Sequence, residues 1–145
     1  GTGNFGMEVE AKSVNNDFWP KITNITLKRA AGTVTEGGTS AAEYDAIQFK
    51  KQGNGDFSNI VISGYTTAGA TAVRIQDAAT NTGQVDGHKI KLTNVKINDG
   101  ISQYAGATGI TVLFADTDYT LSADATGASI TPGAWTVVEG INLLN

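Results

Sequence analysis

The sequence predicts an all-β chain folded as a right-handed parallel β-helix. Three observations carry the expectation: one motif recurs at equal spacing, short alternating segments lie between turn signals, and the composition is poor in helix formers. A β-sandwich is the alternative, because short strands at regular intervals also build two packed antiparallel sheets.

The repeat is the strongest of the three. Ile22-Thr23-Asn24-Ile25-Thr26-Leu27, Phe57-Ser58-Asn59-Ile60-Val61-Ile62 and Leu92-Thr93-Asn94-Val95-Lys96-Ile97 share one pattern: apolar, Ser/Thr, Asn, Ile/Val, any, Ile/Leu. Asn24, Asn59 and Asn94 are 35 residues apart in both steps. A fixed period of this size is the mark of stacked structural repeats. A further step reaches Ser129-Ile130, where the pattern has decayed. Within each copy the fourth and sixth residues alternate as one face of a strand does, which puts Ile25/Leu27, Ile60/Ile62 and Val95/Ile97 on a common side. The apolar first residue breaks that alternation, so each asparagine is expected at a bend between two short strands. Stacked coils bring equivalent residues to about 4.8 Å from one another. Buried asparagine amides would then bond up and down a structural ladder of Asn24, Asn59 and Asn94.

A second strand family lies between the copies. Ala46-Ile47-Gln48-Phe49-Lys50, Ala72-Val73-Arg74-Ile75-Gln76 and Lys89-Ile90-Lys91-Leu92 alternate between apolar and polar residues. Turn residues separate the strands at Gly53-Asn54-Gly55-Asp56, Gly64 with Gly69, Asp86-Gly87 and Asn98-Asp99-Gly100. Ala30 to Ala42 and Ala78 to Val85 read as loops that enlarge particular coils.

Composition narrows the setting. Glycine makes up 18 of 145 residues and charged residues only 17%. Glycine and β-branched threonine both disfavour helices, the first by backbone entropy and the second by its restricted χ1. The net charge of −4 argues against nucleic acid, which calls for a concentrated basic surface. The chain has no cysteine, so thiolate metal centres and disulfides are excluded. No apolar run reaches the roughly 18 residues of a transmembrane helix. One domain over 1–145 is expected, with 121–145, including Trp135, Val137, Val138, Ile141, Leu143 and Leu144, as its C-terminal cap.

With these features assembled, the sequence resembles the C-terminal portion of secreted or surface-exposed parallel β-helix proteins common in Bacteroidetes, many of them lipoproteins. The resemblance is carried by Gly3-Asn4-Phe5-Gly6-Met7-Glu8, Ile22 to Leu27, Asp45-Ala46-Ile47, Asp56 to Gly64, Val73 to Ala78 and Ala134-Trp135-Thr136. It implies an extracellular or cell-surface location and a longer parent chain, and it brings no catalytic residues with it. No amphipathic capping helix is legible in Gly1 to Pro20. An uncovered first coil exposes strand edges and apolar core. The expected partner is therefore an upstream β-helix segment, or another polypeptide, stacked on that coil.

Candidate sites are few. Asp116, Asp118, Thr120 and Ser122 alternate and would share one face of an extended segment, which with Asp124 could hold Ca²⁺. The segment is not an EF-hand: Leu121 takes the place of the turn glycine and Gly127 that of the closing glutamate. His88, the single histidine, follows Asp86-Gly87 and reads as a turn-flanking surface residue rather than a general base. Arg74, Lys89 and Lys91, with Asp77 at the end of the Arg74 strand and Gln48 and Lys50 alongside, could line a face that binds an acidic glycan. The plainer reading is a solvated outer face. Trp19 and Trp135 read as core or cap residues, and Tyr44, Tyr65, Tyr104 and Tyr119 fall in loops.

Two functions follow as expectations. The first is a non-catalytic structural or adhesive β-helix module of a surface protein, binding glycan or a protein partner. The alternative is a carbohydrate-active, polysaccharide-lyase-like β-helix whose groove lies mainly in upstream coils. Two carboxylates beside Arg74 or Lys91 in one groove would favour the alternative.

Overall fold

The computed structural model of the chain describes residues 5–11, 19–29, 44–129, 137–138 and 141–142. Eight strands form two four-stranded parallel sheets. One sheet holds β1 (Met7–Glu10), β3 (Ile47–Lys50), β5 (Thr71–Ile75) and β7 (Ser102–Gly106) in that order. The other holds β2 (Lys21–Lys28), β4 (Gly55–Ser63), β6 (Ile90–Ile97) and β8 (Tyr119–Leu121). Successive strands alternate between the sheets, so each coil gives one strand to each and the chain winds as a parallel β-helix. A separate antiparallel pair, β9 (Val137–Val138) and β10 (Ile141–Asn142), follows. Most of the expected C-terminal cap and the Ala30 to Ala42 loop lie outside the described residues.

Register turns the sequence pattern into columns. In the first sheet Met7, Ile47, Val73 and Tyr104 stack inward, with Val9, Phe49, Ile75 and Gly106 beside them. In the second, the inward columns are Ile22–Phe57–Leu92–Tyr119, Ile25–Ile60–Val95–Leu121 and Leu27–Ile62–Ile97. Ile47, Phe49, Ile60, Ile62, Val73, Ile75, Ile90 and Leu92 are fully buried between the sheets. Each such side chain contributes roughly 1.5–3 kcal/mol by leaving water. Phe49 packs edge-on against Phe57, and Tyr104, Phe114 and Tyr119 form an aromatic cluster farther along the stack.

The asparagines sit where the strands bend. Asn24, Asn59 and Asn94 have φ of 62°, 54° and 55°, and the register passes over all three. Asparagine tolerates this left-handed conformation better than β-branched residues do. The expected burial of their amides is not found. Asn24 and Asn94 are exposed and Asn59 is half-buried, because the bend turns these side chains to the outer corner.

Two further expectations are corrected. Lys89 to Leu92 does not belong with Arg74: Ile90 to Leu92 opens β6, in the opposite sheet. The fourth strand of the first sheet is β7, whose alternation is hidden because its inward partner for Ile75 is Gly106. Residues 78–85 are not an open loop but one turn of α-helix, Ala78–Thr80, running into a π-helix, Asn81–Val85.

Candidate functional site

Outward positions on the first sheet are occupied by charges that already have partners. Arg74 donates Nε to Asp45 Oδ2 at 3.0 Å and an Nη to Asp45 Oδ1 at 3.3 Å, and its other Nη donates to the carbonyl of Gly106 at 2.9 Å. Asp45 is completely buried and also accepts from Thr71 N and Oγ1 at 2.7 and 2.8 Å. Such a two-pronged, charge-assisted pair holds both side chains in one geometry. Arg74 thereby joins three coils.

Asp77 does not pair with Arg74. It caps the short helix, accepting from Thr80 N at 2.8 Å, Thr80 Oγ1 at 2.8 Å and Lys51 N at 2.7 Å. Burial opposes its ionisation, yet the hydrogen bonds from Thr80 and Lys51 outweigh that and hold its carboxyl below the usual value. Lys50 bridges Glu8 and Glu10, and Lys51 bonds Glu10 at 3.1 Å. Hydrogen bonding and charge from Lys51 lower the Glu10 carboxyl, and Glu8 chiefly raises the Lys50 ammonium. Gln48 Nε2 donates to Gln76 Oε1 at 3.1 Å.

The second sheet has a column of alternating charge. Lys21, Asp56 and Lys91 are register partners, and the next coil brings Asp118 to 4.0 Å from Lys91 Nζ. Neighbouring opposite charges at strand spacing are mutually favourable. At the end of this column stands the arrangement sequence reasoning missed. His88 Nδ1 lies 2.5 Å from Asp118 Oδ2. A carboxylate only accepts, so Nδ1 is the donating nitrogen of this pair. Asp118 is buried, while the His88 side chain is 63% exposed. The π-helix delivers His88 to this position at φ 56°, a conformation costly for a residue with a β-carbon. Thirty residues separate the pair, so only the Asp86-Gly87-His88 turn was visible beforehand. Lys89 is exposed beside His88.

The calcium arrangement is not formed as expected. Residues 116–118 make a turn, closed by Asp118 N on the carbonyl of Ala115 at 2.8 Å, instead of an extended segment. The turn sets Asp118 against His88, where it is covered, and leaves Asp116 and Asp124 exposed. Among the described residues no three His, Cys, Asp or Glu side chains converge at metal distance.

The tyrosines are not loop residues without a role. Tyr104 and Tyr119 lie in β7 and β8 and close the core, and Tyr65 is buried with the Arg29 guanidinium 5.8 Å from its ring. Burial raises the phenols of Tyr65 and Tyr119 above the usual value. Tyr44 is half-buried and takes Arg29 on its carbonyl. Trp19 is 40% exposed, against its expected place in the core, and Trp135 lies outside the described residues. A cleft of about 460 Å³, lined by Val95, Ile97, Ile101 and Leu121 among others, opens near the last coils, and Arg74 is not among its lining residues.

The asparagine column is closed from outside. Asn59 Nδ2 donates to Asn24 Oδ1 at 2.7 Å, while Thr126 N and Gly127 N donate to Asn59 Oδ1 at 2.8 and 3.2 Å. Asn94 instead donates its backbone N–H to Thr120 Oγ1 at 2.9 Å. Residues 122–128 thus run back across the coils: Ser122 N bonds Val95 O, residues 126 and 127 reach Asn59, and Ala128 N bonds Thr26 Oγ1.

Among known proteins, a family model described as a pectate-lyase-like β-helix domain matches residues 1–138. No curated protein and no solved structure matches the chain.

Proposed function

The chain belongs to the pectate-lyase-like β-helix domain family, and from that premise we propose that it is a non-catalytic structural module of an extracellular or cell-surface protein, its outer faces presented to glycan or a protein partner. One observation carries this reading: the Arg74 guanidinium that a lyase would use as a base is bound to a buried carboxylate of the neighbouring coil. Asp77, the carboxylate closest to it along the chain, is spent on a helix cap. Fold likeness to lyases is no argument for lyase chemistry, because function resides in the site.

The test is product formation. The chain is incubated with acidic and neutral polysaccharides, with and without Ca²⁺, and unsaturated and reducing ends are quantified. The expected result is no product above the enzyme-free blank. Product that disappears in Arg74→Ala would overturn the reading.

A second reading rests on His88. Its ring is oriented by a buried carboxylate, which is the geometry of a general base, and Lys91 and Asp56 lie along the same column. On this reading product formation would vanish in His88→Ala and survive in Arg74→Ala. The exposure of the His88 side chain makes it the weaker of the two, since acid–base sites work in clefts that exclude water.

A further inference from the structure

Asn54-Gly55, Asp86-Gly87 and Asp99-Gly100 are the Asn-Gly and Asp-Gly dipeptides of the chain. In each, the glycine nitrogen can attack the side-chain carbonyl carbon before it and close a five-membered succinimide, because glycine sets no β-carbon in the way. Closure turns ψ of the Asn or Asp, so the fold decides which of the three reacts. Asn54 is 2% exposed, its Nδ2 donates to Gln84 Oε1 at 3.0 Å, and the Gly55 N–H donates to the Lys89 carbonyl at 3.0 Å. Gly55 also opens β4, which has a neighbour on each side, so rotation there would pull the strand from both. Asp86 is exposed, but its backbone is held. Rotation about its ψ would break the bonds from His88 N–H to Val85 O at 3.0 Å and from Lys89 N–H to Gln84 O at 2.8 Å, and would part His88 from Asp118. The turn is tight as well, since a β-carbon on Gly87 would lie 2.4 Å from the Gly83 carbonyl oxygen.

Asp99 is the least restrained. Among the described residues one hydrogen bond holds its carboxylate, from Tyr65 N–H to Oδ2 at 3.1 Å, and none engages the Gly100 N–H. Gly100 is exposed in the bend between β6 and β7, with open space where a β-carbon would stand. We propose that Asp99-Gly100 is a site of spontaneous covalent modification, at which the folded chain isomerises to isoaspartate. The Gly100 nitrogen bonds to Asp99 Cγ and gives its proton to solvent, and the carboxyl hydroxyl leaves as water. Water then opens the ring at either carbonyl, and opening at the α-carbonyl leaves the main chain running through the Asp99 β-carbon. Mass is unchanged, the backbone of the bend is longer by a methylene, and the Tyr65 N–H loses its acceptor. Asp99 also lines the cleft with Val95, Ile97, Ile101 and Leu121, so the change reshapes one wall of it.

The test follows the intact chain in H₂¹⁸O at neutral pH, with peptide mapping over time. Each passage through the ring exchanges an Asp99 oxygen for ¹⁸O, whereas Asn54 would lose ammonia. Label is expected at Asp99 first, at least about tenfold faster than at Asp86, the margin that two further net hydrogen bonds supply. In guanidinium chloride the order should invert, with Asn54 leading, because a neutral amide reacts without first taking up a proton. Gly100 is not left-handed and has room for a methyl group, so Gly100→Ala should suppress the label while the thermal midpoint holds or rises. The isoaspartate form, separated by chromatography, should exchange its Tyr65 amide faster and its Gly55 amide at the original rate. The proposal is overturned by label at Asp86 or ammonia loss at Asn54 ahead of Asp99 in the folded chain. Label undiminished in Gly100→Ala, or unchanged Tyr65 exchange in the modified form, also overturns it. These readouts involve no glycan, so they stand or fall apart from the structural-module reading.

Discussion

Asn59 combines two jobs that can be separated by substitution. Its backbone is left-handed at φ 54°, and its carboxamide links Asn24 to Thr126 and Gly127. Glycine keeps the backbone conformation and loses the amide, whereas alanine loses both. Asn59→Ala should therefore destabilise the chain by about 1 kcal/mol more than Asn59→Gly, the rough cost of a β-carbon in the left-handed region. Urea unfolding of the two variants checks this, and equal midpoints would show that the bend carries no conformational cost. At this scale the sequence was informative where chemistry is local. The asparagines could be placed at bends because alternation breaks there. The outward turn of their side chains could not, nor could the partial cover of Asn59, which comes from residues 126 and 127 returning to the column only after several coils. The Asp45–Arg74 and His88–Asp118 pairs were illegible for the same reason: register across coils, not neighbourhood in sequence, brings them together.

At the scale of elements, the wide turn after β5 and the segment 122–128 decide how the coils are held. Asp77 anchors the turn through Thr80 and Lys51, and its carboxyl is held below the usual aspartate value. A depressed folded value means the stabilisation is present above the unfolded aspartate range, near pH 4, and is lost as pH falls through the folded value. Asp77→Asn should lower stability at neutral pH and flatten the acid limb of the stability profile. An unchanged acid limb, read from thermal melts between neutral pH and strongly acidic pH, would contradict this. Gly127 has φ 67°, and a β-carbon there would run into Thr26 Oγ1. Gly127→Val should release the segment from the first coils, with faster hydrogen exchange at Ile25 and Leu27 and little change at Ile60 or Ile62. Exchange that rises uniformly along the stack would mean the segment clips no particular coil.

Strands β3 and β5 were legible from alternation, and β2, β4 and β6 from the repeat itself. β7 and β8 were not, because Gly106 and the three-residue length of β8 leave little pattern to read. Lys89 to Leu92 misled for a physical reason. An alternating stretch shows which side chains face inward but not which sheet the strand joins, and that is fixed by the length of the turn before it. The π-helix absorbs the extra residues and hands the chain to the second sheet.

For the whole molecule, the stack is a set of columns in which each coil completes the one before it. Inward columns give the apolar core, and outward columns of Lys21–Asp56–Lys91–Asp118 and the Asp45–Arg74 pair neutralise charge between coils. In repeat architectures stability is carried by such nearest-neighbour contacts. The central claim is that these outer charges serve the stack and not a substrate, and Arg74 is the sharpest case. Its removal leaves a buried Asp45 carboxylate without its cation, which typically costs about 3 kcal/mol or more. The measurement is urea unfolding of Arg74→Ala beside the wild-type chain, with polysaccharide binding followed on the same samples. A loss of about that size with binding unchanged is the expected result. Unaltered stability together with lost glycan binding or cleavage would contradict the account and return Arg74 to a ligand site.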